Sequence, residues 1–243
     1  MVRRNWSENE LLQLLRIYCE LPFGKMDSRN PEIVALAGRI GRTPGAIAMK
    51  MVNFASLDPT IPAKGMSNVS KLDREVWKKF FANIDRYLSS PDSSEEGFDE
   101  NPQEIFVPTD DFSADDIVVA ATARRGQQAF RRIVLASYES RCAISGLNDR
   151  RLLIASHIAP WASLKNRRID PRNGICLNAL WDKAFDRGLV SLTDNLDLIF
   201  SDKLSHLTRE KLESTGSRFQ PPSKFGPDME LLAAHRKRFG FGG

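Results

Sequence analysis

The sequence predicts an α+β chain in two parts. Residues 1–88 form an N-terminal three- to four-helix bundle of helix-turn-helix type, and residues 118–243 hold a mixed unit of strands and helices. Three observations predict this. Up to residue 88 the apolar residues recur at helical spacing behind recognisable caps. Residues 91–120 carry a net charge of −10, between blocks of +5 (1–90) and +9 (121–243), so a polar segment divides the chain. Beyond it, short apolar runs alternate with a loop and one amphipathic stretch, in the order strand, loop, strand, helix.

The first helix lies in "WSENELLQLLRIYCEL". Ser7 and Glu10 make a capping box, and Leu11, Leu14, Leu15 and Tyr18 form the apolar stripe. In "NPEIVALAGRIG", Asn30 caps and Pro31 takes the first helical position, with Ile33, Leu36, Ala37 and Ile40 facing inward. Gly41 ends that helix, Thr43 caps the next and Pro44 opens it, so "GRT" is the turn of a helix-turn-helix. Residues 71–88 supply a fourth amphipathic helix. "SSPDSSEEGFDENPQE" (89–104) cannot bury enough surface to fold and starts an acidic linker over 89–117.

After the linker, residues 124–142 read as a helix with Phe130, Ile133, Val134 and Tyr138 inward and four arginines outward. "LLIASHI" is a strand, "PWASLKNRRIDPRNG" a loop and "ICLN" a second strand. "NALWDKAFDRG" is a helix capped by Asn178 and stopped by Gly188. A hairpin turns at Asp194-Asn195, and "LLAAHRKRF" is a basic helical piece near the end.

Composition narrows the function. No apolar run reaches 18 residues, so no membrane span is expected, and "MVRRNWSENELLQLL" has no uninterrupted apolar core of a signal peptide. Cys19, Cys142 and Cys176 are odd in number and far apart, which predicts reduced thiols and a cytoplasmic setting. Two basic blocks suggest a polyanionic partner. Like charges along the linker should extend it and let the two blocks move independently, so that a fragment starting near residue 118 folds by itself.

Of three histidines, His206 and His235 sit in no motif and read as surface residues; His157 sits in "ASHIAPW". A histidine near its ordinary pKa can take a proton from water at neutral pH. An asparagine amide can orient the ring by binding its N–H. Two carboxylates four residues apart on a helix share one face and can share a hard cation. The chain offers His157, Asn173, Asp182 and Asp186 in that order. The bland readings are a packed core histidine, an Asn-Gly turn, and a solvated helix face on which Asp182 and Asp186 pair with Lys183 and Arg187. Trp161, Phe185, Cys142 and Cys176 read as packing residues.

The string "CAISGL…LLIASHIAPW…NRRIDPRNGICLNALWDKAFDRGLVSL" resembles the HNH endonuclease family, the ββα-metal fold, over residues 124–201. The resemblance implies a divalent-metal-dependent nuclease on double-stranded DNA, with Mg²⁺ first and Mn²⁺ second, of restriction or defence type. It makes His157 the general base, Asn173 the residue that orients the histidine and braces the hairpin, Asp182 a metal ligand and Asp186 a second one. Arg187 or Lys183 would add positive charge at the phosphate. Ser156 stands where many members carry a stronger ligand. The two Cys-x-x-Cys pairs of many members are lacking, so no structural zinc is expected. Residues 5–54 resemble a Myb-like or SANT-like three-helix domain, which implies DNA contacts by Arg42, Lys50 and Asn53, exposed on the third helix. A homodimer is left open. The alternative function is a DNA-binding regulator with a non-catalytic HNH domain.

Overall fold

The computed structural model describes residues 4–61, 69–88, 114–160 and 167–241. It is mixed α and β with two small antiparallel sheets. Most of the acidic linker, including all of 89–113, and Trp161 lie outside the described residues.

Helix α1 (Glu8–Glu20) starts at the predicted capping box, with both reciprocal bonds formed between Ser7 and Glu10. Helix α2 (Pro31–Ile40) is capped by Asn30, and Gly41, at φ 65, ends it in the left-handed region that suits glycine. Thr43 caps α3 (Pro44–Ala55). The three helices pack on one another, and α4 (Lys71–Ala82) and the short α5 (Ile84–Leu88) close the bundle. Leu11, Leu14, Ile33, Leu36, Ile47 and Phe54 are fully buried.

The bundle turns its predicted DNA-contacting residues inward, which corrects the expectation that they are exposed. Arg42 lies before α3. Its guanidinium binds both carboxylate oxygens of Glu10 (3.0 and 2.9 Å) and the carbonyls of Arg4 and Asn5, and lies 3.9 Å from the Trp6 ring centroid. Lys50 donates to both oxygens of fully buried Asp73, at 3.1 and 3.0 Å, and ties α3 to α4. Asn53 is also buried. The physical reason is pairing: each cation on this face has a carboxylate from another helix, a fact helical spacing does not carry.

Helix α6 (Ala114–Ser137) begins earlier than the sequence suggests and ends earlier too, because Glu139 and Ser140 both adopt φ 53. Its Arg131 does not simply face out; it donates to the carbonyls of Leu153 and Arg150 and so holds the start of strand β1. Strand β1 (Leu153–His157) pairs antiparallel with β2 (Gly174–Asn178), His157 opposite Gly174. Helix α7 (Ala179–Asp186) follows directly, its first N–H groups held by the Asn178 side chain. Strands β3 (Val190–Leu192) and β4 (Leu198–Phe200) form the second hairpin. Helices α8 (His206–Thr215) and α9 (Met229–Phe239) complete the chain.

The two parts, expected to be joined only by a flexible linker, pack against one another in one hydrophobic core. Phe225 packs its ring against Tyr18 (5.9 Å between centroids) and Phe81 of the bundle. Beside it Lys224 is completely buried. Its ammonium donates to the carbonyls of Tyr18, Cys19 (2.8 Å) and Leu21 (2.6 Å) at the end of α1. Burial pushes its pKa down to about 7, while three carbonyl acceptors and the negative end of the helix dipole favour the proton. Asp58 and Thr60 bind the backbone N–H groups of Phe225 and Gly226. Helix α1 also packs on α6. Among the described residues no helix is long and apolar enough to cross a membrane.

The Glu10–Arg42 pair gives a pH-dependent test. Hydrogen bonds from Arg42 hold the Glu10 carboxyl down to about 2, from an ordinary 4.5. Its stabilisation is therefore complete above pH 4.5 and is lost as pH falls toward 2. Glu10→Gln should cost about 3 kcal/mol near neutral pH, and its gap to wild type should close across that acidic window. Urea unfolding at stepped pH checks this; a constant gap refutes it.

Candidate active site

Strand β1 ends on the residues that matter. Ser156 and His157 pair with Ile175 and Gly174, and α7 lies across the ribbon that β1 and β2 form. His157 sits on the ring of Phe130 from α6, 3.9 Å between centroids and 12° from parallel. Its Nε2 lies 3.0 Å from the Arg168 carbonyl. A carbonyl only accepts, so Nε2 carries the hydrogen and Nδ1 carries the lone pair. Burial lowers the histidine's pKa from its ordinary value, opposed by the Arg168 carbonyl and the Asp186 carboxylate.

Asn173 is fully buried, but it does not orient the ring as expected. Its Oδ1 accepts from the Ala159 N–H at 2.8 Å, and its Nδ2 donates to the Ala159 carbonyl at 3.3 Å. The Arg167 carbonyl lies 3.5 Å from the same Nδ2. The Ile158 N–H meets the Asn173 carbonyl at 2.9 Å. The amide thus clamps the two ends of the loop between the strands, and that loop presents the Arg168 carbonyl. Its action on His157 is one step removed. A neighbouring ionic knot holds the same loop. Buried Asp170 binds Arg167 and Arg172, and Arg167 reaches Asp228, the cap of α9.

His157, Ser156, Asp182 and Asp186 come together in one pocket of about 420 Å³. Asp182 is half-buried, and Asp186 stands exposed. Burial raises the Asp182 pKa and the Asp186 carboxylate adds to that, while the Ser156 hydroxyl and Lys183 pull it back down. The Ser156 hydroxyl is buried beside Asp182 without a hydrogen bond of normal geometry. Arg187 is the C-terminal cap of α7; it and Lys183 are exposed and lie off the pocket lining. Arg187, expected at the reacting phosphate, thus stands outside the lining that holds His157, Asp182 and Asp186.

Sequence reasoning missed the far wall. His235, read as a surface residue, is 4% exposed. It stacks on Phe185 at 3.9 Å; its Nδ1 meets the Ser191 hydroxyl at 2.9 Å and its Nε2 the Phe185 carbonyl at 3.1 Å. Burial brings its pKa down to about 4, so it is neutral. His206 is exposed, as expected. Cys142 and Cys176 are buried free thiols, and burial pushes Cys176 up to about 12.

Residues 142–193 match the family model described as HNH endonuclease. This stretch is an HNH endonuclease domain. No curated protein matches the chain. The HNH domain contains β1, β2, α7 and β3, whereas α6 and α9 lie outside it. HNH nucleases generally use a divalent metal. Among the described residues no group of three or more His, Cys, Asp or Glu side chains is placed to hold a metal ion by itself. Mg²⁺ does not need one, since it keeps several waters and binds through one or two carboxylates and substrate phosphate. A half-buried Asp182, a second carboxylate one turn along the helix at Asp186 and the Ser156 hydroxyl on the same pocket wall fit such a cation.

Gly174 shows how closely the HNH ribbon is covered. A Cβ there would stand 2.4 Å from Val134 Cγ2 and 2.8 Å from Phe130 Cζ, both on α6. Gly174→Ala should therefore destabilise the protein by about 1–3 kcal/mol. It should also move Phe130 from beneath His157. An unchanged melting temperature would show that α6 yields without cost.

Proposed function

We propose that this chain is a divalent-metal-dependent endonuclease that hydrolyses double-stranded DNA. The observation that carries the reading is the convergence of His157, Asp182 and Asp186 in one open pocket on the HNH ribbon and helix. His157 takes a proton from the attacking water on Nδ1, its ring held by Phe130 and the Arg168 carbonyl. Its lowered pKa keeps it neutral and able to accept that proton. Asp182 and the Ser156 hydroxyl would hold the cation, with Asp186 as the second carboxylate, and Mg²⁺ or Mn²⁺ bound there would supply charge stabilisation for the phosphate and the leaving 3′-oxygen. Asn173 keeps the intervening loop in place.

The restriction or defence setting rests on the HNH resemblance. The N-terminal helices contribute to DNA positioning through exposed cations such as Arg39, Arg74 and Lys78, since Arg42 and Lys50 are occupied by carboxylates. Cleavage of plain and base-modified plasmids tests the setting.

Nicking of supercoiled plasmid by the full chain, with Mg²⁺ or Mn²⁺ and with EDTA as control, tests the activity. His157→Ala should slow cutting by about 10²–10⁴-fold while DNA binding persists. Asp182→Ala should also cut poorly and should weaken Mn²⁺ binding in a titration. Wild-type protein that binds DNA but never nicks it would favour the regulator with a non-catalytic HNH domain.

A further inference from the structure

Helix α9 lies outside the HNH match, yet it forms one side of the pocket. His235, Arg238 and Phe239 line it together with His157, Asp182 and Asp186. Three contacts seat the helix. His235 stacks on Phe185 and binds the Phe185 carbonyl and the Ser191 hydroxyl, as above. Phe239 fills the space over Gly188, where an added Cβ would stand 2.2 Å from its ring. Gly188 has φ 62, so the glycine that ends α7 serves both the turn and the docking of α9. Asp228, which caps α9, holds Arg167 of the loop that leads back to His157. The helix is thus joined to both ends of the HNH site.

Its last turn carries Arg236, Lys237 and Arg238. Arg236 is occupied by the Leu192 carbonyl and Asp194. Lys237 is exposed and off the pocket lining. Arg238 is exposed, faces the pocket, and has its guanidinium 4.8 Å from the Phe239 ring centroid. Among the described residues no carboxylate pairs with it. A pocket that already holds Asp182 and Asp186 repels a phosphodiester unless positive charge offsets them. The bound cation would supply part of that charge. A guanidinium, with its planar fork of donors, matches two phosphate oxygens at once.

We propose that Arg238 of α9 binds the non-bridging oxygens of the scissile phosphodiester, in the role the sequence suggested for Arg187. This rests on the nuclease reading above. α9 is then a working wall of the active site, and the catalytic unit runs from α6 to Phe239.

The test uses the full chain and three variants: Arg238→Ala, Arg238→Lys and Lys237→Ala. Plasmid nicking in Mg²⁺ should fall about 10²-fold or more in Arg238→Ala, recover in part in Arg238→Lys and stay at the wild-type level in Lys237→Ala. Melting temperatures should match throughout, since both residues are exposed. Binding of a short labelled duplex in EDTA is the second readout. Arg238→Ala should weaken it and lower the salt slope by about 1, an effect that does not depend on cleavage. Equal nicking by Arg238→Ala and wild type overturns the proposal, as does an equal loss in Lys237→Ala, which would mark a general charge effect. If wild type does not nick at all, the nuclease reading fails. The Arg238 contact is then decided by the binding arm, and it falls if both arginine variants bind as wild type does.

Discussion

Five residues of β1 pair with five of β2, and a two-stranded ribbon of that size has too little buried area to persist alone in water. It must be covered, and each cover contributes to the site. On one side α6 brings Phe130 and Val134 down onto Gly174, close enough that only glycine fits, and the same Phe130 supports the His157 ring. On the other, α7 follows β2 without a break, so the Asn178 cap that starts the helix also sets where Asp182 and Asp186 stand. The groups that could perform chemistry lie on the elements that keep the ribbon folded. Stability and geometry are therefore coupled here.

The N-terminal helices extend this dependence. Helix α1 packs on α6, and Lys224 and Phe225 hook the C-terminal part into the bundle. A fully buried lysine is costly unless its donors are satisfied. Here three carbonyls left over at the end of α1 serve that purpose, and these carbonyls in turn need donors. Each side meets the other's unmet requirement. Two of the cations behind the net charge of +5 over residues 1–90, Arg42 and Lys50, thus work inside the bundle.

What was legible in the sequence was local. The Ser7–Glu10 box, the Asn30, Thr43 and Asn178 caps and the glycine stops at 41 and 188 depend on neighbours within a few residues, and each is found where the pattern put it. His157, Asp182 and Asp186 were also legible as a set because strand, loop, strand and helix follow one another without a long detour. What was not legible depended on partners far along the chain. Arg42 needs Glu10, Lys50 needs Asp73, His235 needs Phe185 and Ser191, and Lys224 needs α1. The pattern around His235 is that of an exposed basic helix, and only its position over Phe185 makes it a core residue. The HNH resemblance makes Asn173 a direct partner of the histidine, but its amide is taken by Ala159, fourteen residues away.

The missing cysteine pairs bear on the same point. Many HNH domains hold a structural zinc on two Cys-x-x-Cys pairs, and here Ser145 stands where the second cysteine of a pair beginning at Cys142 would be. Its hydroxyl instead accepts a hydrogen bond from Asn178 at 2.9 Å, and its N–H meets the Cys142 sulfur at 3.5 Å. The Ala143 N–H bonds to the Cys176 carbonyl at 2.7 Å. These neutral contacts, with the Cys142 and Cys176 thiols packed as small apolar groups, hold the start of the domain to β2. Packing and hydrogen bonds of this kind are weak one by one, so the domain needs more surface to lean on. That surface is α6 and the N-terminal bundle on one flank and α9 on the other. The matched segment ends at residue 193, but the structure that keeps its pocket in shape continues to Phe239.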